Sequence, residues 1–178
     1  MKRKIVYSTL ALLLFTLSAC APKPNMEELL SYQTAGTEMS LRITDTEVFY
    51  ANLKIEDGGV SITFTDEKRE GISYGMDKSG QIRMFFEDVE IPLDPSDELK
   101  CKDWLSLFAI PHGDNIWRIK RETLGGISVY VCRDERITLY IDAASGLPLK
   151  IETDRITIDV LNAKRLDSEQ QSTQLIMN

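Results

Sequence analysis

The chain has 178 residues, 43% hydrophobic and 28% charged, the composition of an ordinary globular domain and not of a collagen, a coiled coil or a disordered tail. There are 21 Lys and Arg against 28 Asp and Glu, and the net charge of −7 argues against a nucleic-acid-binding surface. A single histidine, His112, excludes a multi-histidine metal centre, and three cysteines are too few for a disulfide scaffold.

Residues 1–19 read as a secretory signal peptide. Lys2-Arg3-Lys4 form a basic start, Ile5 to Leu17 a mostly apolar stretch, and the small residues Ser18 and Ala19 follow. The stretch is too short to span a bilayer comfortably. Leu17-Ser18-Ala19-Cys20 resembles the bacterial lipobox. That resemblance implies a diacylglyceryl group on the Cys20 sulfur and cleavage that leaves Cys20 as the first residue. Two acyl chains, at ~0.8 kcal/mol per buried methylene, suffice for stable anchoring. Cleavage removes three basic residues and no acid, so the lipid, not surface charge, has to hold the chain on an anionic membrane. The expected location is extracytoplasmic: the cell membrane of a monoderm, or the outer membrane of a diderm, because Ala21 and not Asp follows Cys20. Residues 20–24, the lipidated Cys20 and a short linker, reach roughly 15 Å.

A single domain is expected over 25–167. Asn25 at the N-cap and Glu28 at N3 predict a short helix of about two turns. The period then changes to two. Strands are expected around Leu41 and Ile43, over Val48–Ile55, over Val60–Phe64 after the Asp57-Gly58-Gly59 turn, and over Gly71–Met76 and Gln81–Phe86 around Lys78-Ser79-Gly80. One helix interrupts this meander. Asp94-Pro95-Ser96-Asp97 starts it and Pro111 ends it. Its apolar stripe is Cys101, Trp104, Leu105 and Phe108, at i, i+3, i+4 and i+7. Strands resume at Ile116–Lys120, Ile127–Cys132, Ile137–Ile141, Leu147–Ile151 and Ile156–Val160. The segment 168–178 is polar and is expected to fray. The class is mainly β: about nine or ten strands in a curved antiparallel sheet, an unclosed β-barrel with a helical lid and a short N-terminal helix. Pro148 is expected at a strand start or a sheet edge, where its missing N–H is harmless.

Two stretches carry a second resemblance. Tyr50–Ile55 leads to Gly59–Phe64, and Ile137–Asp142 leads through Ser145-Gly146-Leu147-Pro148 to Glu152. Over roughly 26–162 these resemble the LolA/LolB-like lipoprotein-carrier superfamily of bacteria. The resemblance implies an open barrel whose apolar cavity takes acyl chains under a helical lid. The candidate lining is Phe49, Leu53, Ile62, Phe64, Phe86, Trp104, Leu105, Phe108, Leu139, Ile141, Leu149 and Ile151, with Trp117 also inward. The same residues could equally fill a packed core. Lipidated members of the superfamily carry a protruding apolar loop, and no loop here is expected to expose adjacent large apolar residues.

No catalytic constellation is found, and no cofactor or metal site is implied. His112 follows Pro111 as a turn residue, and the pairs Glu87/Asp88, Asp97/Glu98 and Asp134/Glu135 read as solvated acids. Two functions stay open: a lipid-anchored protein holding an apolar ligand such as an acyl chain or a lipoprotein, and an envelope protein–protein interaction module with a filled core. An enzyme accessory subunit is a weaker third. A disulfide between Cys101 and Cys132 would stabilise by ~3.7 kcal/mol in the chain-entropy model. Period two, however, sets Cys132 with Ser128 and Tyr130 on the more polar face, opposite Ile127, Val129 and Val131, while Cys101 faces the core. Two thiols are therefore the favoured state. Changing Cys20→Ala should leave unprocessed, unlipidated precursor on immunoblots; processing and membrane partition like wild type would exclude the lipobox.

Overall fold

The computed structural model describes residues 24–109 and 117–166. The signal segment, Cys20, Pro111, His112 and the tail from 168 lie outside the described residues. Asn25 caps helix α1 (Met26–Leu29): its side chain accepts from the Glu28 N–H, and the Glu28 carboxylate accepts from the Asn25 N–H. A 3-10 turn over Ser31–Gln33 completes the expected two turns.

Eleven strands follow: β1 (Thr37–Thr44), β2 (Val48–Glu56), β3 (Gly59–Phe64), β4 (Ile72–Met76), β5 (Ile82–Phe86), β6 (Val89–Ile91), β7 (Arg118–Leu124), β8 (Ile127–Arg133), β9 (Thr138–Asp142), β10 (Pro148–Glu152) and β11 (Thr157–Arg165). Helix α2 (Pro95–Leu105) lies between β6 and β7. The strands form one antiparallel sheet in the order β6-β5-β4-β3-β2-β1-β11-β10-β9-β8-β7. It is not closed, because β6 and β7 are its two edges. Two meanders, β1–β6 and β7–β11, are thus joined where the first strand pairs with the last, and α2 is on the connection from one edge to the other.

Each strand of the middle is apolar on one face and polar on the other, which suits a sheet covered on one side. The covered face carries one core cluster. Leu41, Ile43, Leu53, Ile55, Ile62, Leu139, Ile141, Ile151 and Ile158 meet Leu30 and Tyr32 of the N-terminal segment and Leu105 and Phe108 of the α2 region, all nearly inaccessible. α2 packs on β3, β4 and β5. Among the described residues no helix is long and apolar enough to cross a membrane.

Several expectations need correction. The sheet has one strand more than the nine or ten read from the sequence. Glu87 and Asp88 are exposed acids at a turn, as expected; with φ of 47° and 67° they form the two-residue turn that folds β6, the additional strand, back on β5. Primed turns of this kind match the strand twist but normally take Asn-Gly. The tip of this hairpin exposes two large apolar residues, Phe86 and Val89, paired across the strands and separated in sequence by Glu87 and Asp88. Phe86 is on the same face as Ile82, as period two requires, but it is 43% exposed at the strand end and rests against Gly71. It is no part of the interior.

Leu149 is displaced by a bulge. The β9–β10 register pairs Pro148 with Ile141 and then Lys150 with Tyr140, so Leu149 is the extra residue and Pro148 takes the buried position. Pro148 therefore begins an interior strand and is not at a sheet edge. α2 stops at Leu105, short of the expected end, and tighter turns continue to Ala109, with Leu107 N–H donating to Trp104 O and Phe108 N–H to Leu105 O.

Cys132 is on the core face. It pairs in register with Leu139 and Ile119 and is wholly buried beside Tyr32, while Val129 and Val131 are buried on the other face. Both alternations of β8 are apolar enough to be covered, so period two alone could not choose. Cys101 and Cys132 are both buried thiols, and burial pushes Cys132 up to about 12. Neither should react with a thiol reagent at pH 8 in the folded protein. Both should appear on unfolding without reductant; no reactive thiol until reduction would reveal a bridge.

Candidate functional site

Strand polarity decides which loops meet. The β1–β2, β3–β4, β8–β9 and β10–β11 turns lie at one end of the sheet, together with the last turn of α2. The opposite end holds Gly36, Arg165 and the β9–β10 turn: Leu166 N–H donates to Gly36 O, and Arg165 reaches Ser31 Oγ and Ser145 O.

At the first end is a cleft of about 990 Å³. Asp45 and Thr46 come from the β1–β2 turn, Glu135, Arg136 and Ile137 from the β8–β9 turn, and Thr153, Asp154, Arg155 and Ile156 from the β10–β11 turn. Asp103, Trp104, Ser106 and Leu107 close it from the α2 side. The apolar part is Trp104, Leu107, Ile137 and Ile156. Of the twelve residues expected to line a cavity, Trp104 borders this cleft and Leu53 borders a polar groove on the outer face; Phe49, Leu53, Ile62, Phe64, Leu105, Phe108, Leu139, Ile141 and Ile151 are all in the packed cluster, no more than 4% exposed. Trp117 is half-buried against the same cluster.

The α2 wall of the cleft is built from aromatic rings. Trp104 stacks on Phe49 with centroids 4.9 Å apart and planes at 27°, and meets Phe64 edge-on at 6.5 Å. Phe64 in turn contacts Phe49 and Tyr74. The Arg69 guanidinium is 4.9 Å from the centre of the Phe49 ring. It is held there by two carboxylates, Asp66 Oδ1 at 3.1 Å and Glu47 Oε2 at 3.2 Å. Asp66 Oδ2 is buried and has no hydrogen-bond partner among the described residues. A partly exposed cation on a ring face is worth about 0.5–1 kcal/mol, and the fixed guanidinium fork suits this use better than an ammonium. Arg69 thus bears on the orientation of Trp104 through Phe49.

Asp142, at the end of β9, organises the β9–β10 hairpin. Its carboxylate accepts from Ser145 Oγ at 2.6 Å and from the N–H groups of Ala144 and Ser145. These bonds, the Ser145 hydroxyl foremost, hold its pKa below the usual value. Gly146 follows at φ 68° with Arg165 packed over it. The outer-face groove, about 500 Å³, is polar and largely self-satisfied, with Lys164 paired to Glu38 and Ser40 bonded to Asn52. No group of three or more His, Cys, Asp or Glu that could hold a metal occurs among the described residues.

No protein-family model matches the chain, and no curated protein matches it significantly. Among solved structures it is similar to an uncharacterized conserved protein from Thermus thermophilus, with a TM-score of 0.52 and 13% identity over 82% of this chain and 88% of that one. A likeness at that identity concerns the fold alone.

The ring stack is testable by fluorescence. In a Trp117→Phe background, Arg69→Gln should move Trp104 emission to longer wavelength and cost about 1 kcal/mol of stability. Arg69→Lys should not restore the spectrum. An unchanged spectrum would mean that Arg69 does not orient the stack.

Proposed function

We propose that this chain is an extracytoplasmic, lipid-anchored binding protein of the LolA-like type, without enzymatic activity, that holds an apolar chain in the cleft at the open end of its sheet. The observation that carries the reading is the cleft itself: a large concave space with four apolar side chains, set against a ring stack, in an unclosed sheet. A deep interior cavity is not needed for this. The chain of the ligand would lie on Trp104, Leu107, Ile137 and Ile156, and the charged turns would stand over its head. The lipobox supports anchoring through Cys20, and the acidic composition speaks against nucleic acid as partner.

The packed interior favours a second reading, an envelope interaction module that carries no small ligand. Native mass spectrometry of protein taken from cells separates the two. Co-purified lipid supports the first; a lipid-free species bound to another protein supports the second. Trp104→Ala should reduce retained lipid severalfold. Trp104 is half-buried, so its truncation should cost less than the ~3–5 kcal/mol of a fully buried aromatic. A full core-sized loss, with no lipid on the wild-type protein, would end the binding reading.

A further inference from the structure

We propose that the cleft selects an amphiphile with a zwitterionic head, an ammonium and a phosphate joined on one chain as in phosphatidylethanolamine or its lysolipid. The inference rests on the reading that the cleft holds an apolar chain. Charge around the rim carries it. In strand order along the sheet, the turns present Asp45, then Arg155, then Arg136, and Asp103 faces them from α2. Glu135 and Asp154 stand beside the arginines in sequence, so the rim holds four acids and two bases.

None of these six side chains is in an ion pair among the described residues, whereas neighbouring Glu47 and Asp66 are committed to Lys68 and Arg69. A purely anionic head would find the arginines but also an excess of carboxylates. A purely cationic head would find carboxylates but also two guanidiniums. A phosphate with an ammonium two carbons away finds a partner for each charge. Guanidinium takes a phosphate through two parallel N–H bonds, a fit that fixes the head while the chain lies on Trp104, Ile137 and Ile156. Each contact is exposed and individually weak, so the preference comes from meeting both signs together.

The experiment uses the full lipidated chain in phosphatidylglycerol vesicles. Three probes share one diazirine-bearing chain: lysophosphatidylethanolamine, lysophosphatidylglycerol and an alkyltrimethylammonium. Labelling of the peptides containing Ile137 and Ile156 is read by mass spectrometry. The zwitterion should label these about tenfold more than either singly charged probe. Asp45→Asn with Asp103→Asn should erase the preference over lysophosphatidylglycerol, and Arg136→Gln with Arg155→Gln the preference over the ammonium probe. Glycerophosphoethanolamine, the same head without a chain, should not displace the label; displacement would make the free head group the ligand and overturn the proposal. Equal labelling by all three probes would overturn head selection and leave chain binding standing. No labelling at the cleft by any probe would overturn both.

Discussion

The sheet depends on the first strand finding the last. Every other pair of neighbours in it is consecutive in sequence, so nine hairpins form locally, while β1 and β11 meet from opposite ends of the domain. Closing a loop of roughly 110 residues costs on the order of 4 kcal/mol before any contact is gained. The pairing that offsets it runs over eight register positions, with Ile43 opposite Ile158 and Leu41 opposite Val160 on the covered face. Arg42 with Asp159 and Glu38 with Lys164 pair on the wet face, where they contribute little energy but discriminate register. A bulge after Ser40 leaves Leu161 exposed and returns Ala163 to the inner face. Without this seam the two meanders would each keep an apolar face and no common core.

The seam also makes the cleft. It brings the β1–β2 turn next to the β10–β11 turn, although these are far apart in sequence. The cleft is therefore a property of topology more than of any motif: three turns and one helix end, each ordinary alone. The filled interior beneath it gives those turns a rigid floor. Ring packing around Phe49 carries that rigidity to Trp104, a cleft residue that belongs to the helix and packs on the core.

Most of the strands were legible because each is half-covered, and half-covered strands alternate. The N-terminal cap, the α2 stripe and the Gly turns were legible for equally local reasons: a side chain at one place satisfies a backbone group a few residues away. Legibility ended where two local solutions were equally good. β8 offers apolar residues on both faces, and only its pairing with Leu139 and Ile141 of β9 selects the face of Cys132. Leu149 looks inward until a bulge, compatible with the missing N–H of Pro148, shifts the count by one. Phe86 has the right face but is beyond the reach of the cover. The cleft residues gave least signal: Glu135 reads as a solvated acid, Asp45, Arg136, Asp154 and Arg155 belong to no motif, and nothing in one dimension shows that their turns converge.

Gly36 and Leu166 are joined by a backbone hydrogen bond at the end of the sheet away from the cleft. The domain thus has a back and a front, separated by the length of β1, which at about 3.3 Å per residue is more than 20 Å. The chain enters β1 and leaves β11 at the back, so a fluorophore fixed beside Leu166 would stand about 20 Å or more from the cleft and could report on it by energy transfer without obstructing its mouth.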